Sequence, residues 1–211
     1  MPQAEHSTFI NLARSRLCVH LTGQVQTCIN SLDAEQLWWR PNDLSNSIGN
    51  LVLHCAGSTK FYIGHVIGNS DFVRDRDTEF NERRRIPHDE LLAHLDDAIS
   101  EANSVLSELS PNRLLEQTHR TRKPSTIMEV IELQLTHYAL HTGQIAFATK
   151  ILSAESINEI WRKTPTRYSS FTNTWIAYKK WVIFLSSTKN LDRTISVSYT
   201  HLRAHETEAD L

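Results

Sequence analysis

Residues 125–152 read STIMEVIELQLTHYALHTGQIAFATKIL, and the period of this stretch decides the fold. Ile127, Ile131, Leu135, Tyr138, Thr142, Ile145 and Thr149 recur at three- and four-residue steps, the spacing of one face of an α-helix. Pro124 stands just before the stretch. Ser125 is placed to cap it, with Glu129 within about one turn as a loose capping box. Beside the apolar line runs a polar one: Gln134, His137, His141 and Gln144. A bundle helix has little use for such a line unless it faces a cleft.

Working outward, three more stretches carry the same period. The first runs from about Phe9 to Leu32 through Phe9, Leu12, Ala13, Leu17, Leu21, Val25 and Ile29. Another starts within Ser45-Asn46-Ser47, good N-cap residues, and reaches about Ile67 before Gly68-Asn69-Ser70 stops it. The third spans roughly Pro87 to Leu109, with Pro87 in its first turn and Leu91, Leu92, Leu95, Ile99, Val105 and Leu106 as apolar positions. Between them lie Asp33 to Asp43, the charged link Asp71 to Arg85, and a break at Ser110-Pro111-Asn112. The pattern predicts an all-α, four-helix bundle with interhelical connections long enough to allow crossovers.

Composition agrees with an ordinary globular chain. With 211 residues there is length for one domain plus an appendage, and 40% hydrophobic content is enough for a core. A formal net charge of -2 gives no reason to expect a nucleic-acid or membrane surface as partner. No apolar run approaches the roughly 20 residues that span a bilayer. The start, MPQAEHSTFINLARSR, has no basic segment followed by an apolar one. Three cysteines, Cys18, Cys28 and Cys55, form no CxxC pair, which points to a reducing, cytoplasmic setting.

Eleven histidines need sorting. His137 and His141 are four apart on one helix, so their side chains stack on one face about 6 Å apart at Cβ. That spacing lets one helix give two imidazoles to a single ion at about 2.0–2.1 Å. HxxxH pairs also occur on solvated faces without metal. This one is not the metalloprotease HExxH, because Tyr138 follows the first histidine. His54 sits in the apolar run IGNLVLHCA, and by spacing alone it reads as a core residue. His65 is eleven residues further on, about 16 Å along the axis, too far to share its ion. His6, His20, His88, His94 and His119 have no partner pattern.

The blocks NSIGNLVLHCAGSTKFYIG, RDRDTEF and THYALHTGQI, in that order, resemble the DinB/YfiT-like family of metal-binding four-helix bundles. The resemblance covers roughly residues 8 to 153. It implies that a histidine in the middle of the second helix joins an HxxxH pair followed by Gly-Gln on the last, here His54 with His137 and His141 ahead of Gly143-Gln144. It implies a divalent metal ion, with zinc, nickel, iron and copper all suited to imidazole. It also implies a reaction with a low-molecular-weight thiol and a small-molecule substrate, and a homodimer.

Three imidazoles leave at least one position open on the ion, the pattern of a reactive rather than a closed site. A metal-dependent thiol S-transferase is the leading expectation. A metal-dependent hydrolase using bound hydroxide and a noncatalytic metal-binding or stress-associated module are the alternatives. Asn50, Gln134 and Gln144 are candidates to orient the imidazoles or a bound water. Cys55 points about 100° away from His54 around the helix and reads as core. Arg74, Arg76 and Arg83 to Arg85 form either an anion site or a solvated, salt-bridged loop.

The bundle is expected over residues 1–154 and an irregular extension over 155–211. Helical periodicity fades there, and Trp161 to Lys189 turns basic and aromatic. Val197 to Thr207, VSYTHLRAHET, resembles a translated transposon-type sequencing adaptor, which would deprive His201 and His205 of meaning despite their four-residue spacing. On that reading the native frame ends or shifts somewhere after about Leu152.

Overall fold

The computed structural model describes residues 2–153, so the expectations placed on Trp161–Lys189 and Val197–Thr207 lie outside the described residues. The described chain is an all-α bundle of four long helices. The first covers residues 2–30, the second 48–67, the third is His88–Glu108 and the fourth Ile127–Ser153. Among the described residues no helix is long and apolar enough to cross a membrane.

Local chemistry sets the ends. Ser47 caps the second helix by accepting from Asn50 N at 3.1 Å, while the Asn50 side chain returns to Ser47 N, a reciprocal capping box. That helix stops at Asn69, which takes a left-handed conformation (φ 62°). The Ser70 and Asn69 amides then close back on the Gly64 and His65 carbonyls. The cap of the fourth helix falls one residue later than expected. Thr126, not Ser125, accepts from Glu129 N, and Glu129 Oε2 receives Thr126 N at 2.6 Å. Ser125 is drawn instead into a two-residue antiparallel ladder, Gln117–Thr118 with Ser125–Thr126.

Two of the connections contain a short α-helix, Ala34–Trp38 and Arg76–Asn81, and the third a 3-10 helix, Pro111–Leu115. Each of the two α-helices opens with an aspartate accepting from a backbone amide three residues on, Asp33 from Gln36 and Asp75 from Thr78. Pro87 sits at the cap of the third helix rather than inside its first turn.

The first helix packs against the third and fourth, and the second packs against the same two. First and second therefore lie diagonally opposite, as do third and fourth. The long connections 31–47 and 109–126 make those diagonal crossings. The shared core is apolar: Leu17, Val25, Ile29, Leu37, Val52, Ile63, Leu91, Leu95, Leu106, Ile131, Tyr138 and Ile145 are essentially inaccessible. Leu12, expected in the stripe of the first helix, is exposed, and Ile10 takes the buried position.

The diagonal crossing is anchored at the start of the second helix. The Trp38 indole lies flat on Gly49, where any Cβ would come within 2.7 Å of the ring. Its Nε1 donates to the Ile86 carbonyl at 3.2 Å. Arg40 donates to Asn50 Oδ1 and to the Glu82 carbonyl. Asn50 Nδ2 donates in turn to the carbonyls of Glu79 and Glu82. The link 68–87 is thus tied to the first turn of the second helix, and this positions Glu79.

Candidate metal centre

His54 stands on the second helix and His137 and His141 on the adjacent fourth. The packing of those two helices brings the three rings together, one ring nitrogen from each lying within 4.8 Å of the other two. His137 Nε2 is 2.9 Å from His54 Nε2 and 3.1 Å from His141 Nε2. Two imidazoles on one ion at about 2.1 Å have nitrogens about 3.0 Å apart at a right angle and about 3.4 Å apart at a tetrahedral one. Both contacts to His137 match the right-angle spacing, whereas the widest nitrogen separation in the cluster, 4.8 Å, exceeds the about 4.2 Å that two nitrogens at 2.1 Å can span, so the rings would have to close in slightly on a shared ion. His54 is buried, while His137 and His141 are half-buried and open toward solvent.

The far side of each ring decides which nitrogen is free to ligate. His54 Nδ1 meets Glu79 Oε2 at 2.8 Å, so the proton sits on Nδ1 and leaves the Nε2 lone pair facing its neighbours. Glu79 is itself clamped by Arg74, whose Nε and terminal nitrogen donate to its two oxygens at 2.8 Å each. His141 Nδ1 meets Gln144 Oε1 at 2.7 Å, and with the amide oxygen turned to the ring Nδ1 is the donor and Nε2 is left with its lone pair.

His137 Nδ1 is buried with no hydrogen-bond partner, and so is Gln134 Oε1 one turn before it. The orientation of Gln134 is settled by its other end. Its Nε2 faces Thr59 Oγ1 and Ser58 Oγ, both of which donate to the Cys55 carbonyl and can only accept from the amide. If His137 carries its proton on Nδ1, the two lone atoms are a donor and an acceptor on one helix face. If it carries the proton on Nε2, they are two acceptors with no donor. Only the first state presents a third Nε2 lone pair to a shared ion.

Electrostatics keeps the rings neutral. Burial is the main cause that lowers the proton affinity of His54 and His141. His137 is pushed down to about 3, by burial first and then by His141, His54, Arg74 and Arg76. Neutral imidazole is the form that binds a divalent ion. Cys55 is fully buried with its thiol pushed up by burial, which agrees with a core role.

The structure sorts the candidate orienting residues. Gln144 touches a ring directly. Gln134 lies behind His137 with one free oxygen. Asn50 spends its side chain on Ser47, Arg40 and the backbone of the link, and so acts on the segment that carries Glu79 rather than on a ring. Glu79 and Phe80, whose ring lies 4.4 Å from that of His54, were not foreseen as site residues, and Arg74, expected in an anion site or a salt-bridged loop, is salt-bridged to Glu79. A signal was present. A histidine inside an apolar helix needs an acceptor, and Gly57 lies three residues after His54 on the same face. A Cβ at Gly57 would stand 1.9 Å from Glu79 Oε1, so the glycine makes room for the carboxylate.

One family's sequence profile matches residues 5–162, and it is described as a protein of unknown function, DUF1572. The chain belongs to the DUF1572 family. The match spans all three histidines together with Glu79 and Arg74. No curated protein and no solved structure matches the chain.

Proposed function

We propose that this DUF1572 protein holds one divalent metal ion through Nε2 of His54, His137 and His141, and that it works as a metal-dependent thiol S-transferase. The observation that carries the metal reading is the gathering of one ring nitrogen from each of three histidines within 4.8 Å of one another, with the Glu79 carboxylate holding the Nδ1 proton of His54 from behind. When bound, a divalent ion on three imidazoles supplies at least one open position at which a thiol loses its proton and becomes a sharper nucleophile. The thiol and transfer part rests on the DinB/YfiT-like motifs around His54, Glu79 and His137-His141.

Each residue then has a task. Glu79 holds the Nδ1 proton of His54 and Arg74 holds Glu79 in place. Gln144 does for His141 what Glu79 does for His54. Phe80 covers the face of His54 and keeps water from its ring. The half-buried side, formed by His137 and His141, is where substrate enters. Zinc, nickel and iron are the candidate ions, and a homodimer of this cytoplasmic domain is the assembly that goes with the reading.

Cobalt-substituted protein titrated with low-molecular-weight thiols tests the proposal. New thiolate-to-cobalt absorption in the near ultraviolet is expected, together with a change in the visible bands. A cobalt protein whose spectrum ignores thiols would rule out the transferase reading and leave the hydrolase and the noncatalytic module.

A further inference from the structure

The five arginines between residues 74 and 85 look alike in the sequence, and the structure separates them. Arg74 forks onto Glu79. Arg83 donates to the backbone carbonyls of Phe80 and Glu82. Arg84 pairs with Glu82, and Arg85 lies 3.9 Å from Glu35. Arg76 is different. Among the described residues its guanidinium meets no carboxylate and no carbonyl; it lies over the face of Phe80 with Cζ 4.9 Å from the ring centre.

A guanidinium resting over an aromatic ring gives none of its five N–H donors to an oxygen acceptor, so they stay available to a ligand. Phe80 in turn packs on His54, so one ring separates this free cation from the three-histidine cluster. The nearby carboxylate of Glu79 does not answer the cation, being spent on Arg74 and His54. An ion at the histidines would raise the local positive charge further. A planar, pre-oriented fork beside such a centre suits a carboxylate or a comparable oxyanion, bound through two parallel hydrogen bonds.

We infer that Arg76 is an anion-recognition residue at the mouth of the three-histidine site, and that the small molecule taken there carries a carboxylate or similar oxyanion beside the group that faces the ion. The inference rests on the metal reading above and is independent of the thiol chemistry. The exposed position of Arg76 on a short surface helix makes it a specificity-determining residue that can be changed without touching the core.

The test uses the full cobalt-loaded chain and two sulfur-free probes, imidazole and imidazole-4-acetate, titrated against the visible cobalt spectrum at one pH. The ratio of their affinities measures the preference for the carboxylate. Any direct chelation of the ion by the carboxylate contributes equally in wild type and variant. Arg76→Ala is expected to lower the ratio about tenfold, the worth of a charge-assisted pair of hydrogen bonds. A ratio unchanged within about twofold overturns the inference. If Arg76→Ala fails to load cobalt, Arg76→Gln, which keeps a planar head group on Phe80, carries the same comparison. A wild type that takes up no cobalt overturns the metal reading and this inference with it. A failed thiol titration leaves the ratio, and therefore the inference, standing.

Discussion

His54 Nδ1 and Glu79 Oε2 meet at 2.8 Å, both buried, with the other oxygen of Glu79 held 2.8 Å from Arg74 Nε. A ring gripped this way can rotate very little, and its Nε2 lone pair is aimed before any ion arrives. Residues that orient metal-binding imidazoles typically change affinity 10- to 100-fold when removed. Glu79→Ala is therefore expected to weaken binding of a divalent ion by about that factor. Glu79→Gln keeps one acceptor oxygen and should fall between the two. Competition against a chromophoric chelator measures both, and equal affinities in all three proteins would remove Glu79 from the account.

Gly57 provides an independent handle on the same contact. Alanine is the better helix former by about 1 kcal/mol, so on propensity Gly57→Ala would stabilise the second helix. Its Cβ, however, would fall 1.9 Å from Glu79 Oε1 and drive the carboxylate off His54. The expected result is a helical protein with metal affinity reduced about tenfold or more. Adding Glu79→Ala should then cost little further, because both changes break one contact. Additive losses in the double variant would show that Gly57 acts elsewhere.

Gln144 and Gln134 separate orientation from stability. Gln144 is exposed, and Gln144→Ala should change folding stability by less than about 0.5 kcal/mol while lowering metal affinity about tenfold through His141. Gln134 is fully buried and bonds Thr59 and Ser58 across the helix pair. Gln134→Leu should cost about 1–3 kcal/mol in denaturant unfolding and also weaken metal binding through His137. Loss of stability with unaltered metal affinity would assign Gln134 to the core alone.

Ligand linkage gives a prediction free of spectroscopy. An ion that binds the folded chain stabilises it by about 4 kcal/mol at a free concentration of 1,000 Kd. Zinc added to metal-depleted protein should raise the thermal midpoint of the wild type. Chelation should reverse the rise, and His137→Ala should abolish it. An equal rise in that variant would place the ion somewhere else.

The sequence revealed the two kinds of site residue unequally. The pair His137 and His141 was visible because a helix turns an i, i+4 spacing into neighbouring side chains. Nothing periodic links His54 to them; only the family-like order of blocks did, since the contact depends on which helices pack as neighbours. Glu79 was hidden for a similar reason. It lies in a charged link where carboxylates are common, and it is the ties from Asn50 and Arg40 to that link that bring it against His54. The four long helices followed directly from apolar period. The short helices, the Thr126 cap and the two-residue ladder depend on single hydrogen bonds that no period announces.

The most direct test is the metal content of the purified full chain, wild type against His54→Ala, His137→Ala and His141→Ala, each loaded under identical conditions and desalted before elemental analysis. The account predicts one divalent ion per chain in the wild type and a loss of most of it in every variant, with helical content retained. Undiminished metal in the variants, or none in the wild type, would contradict it.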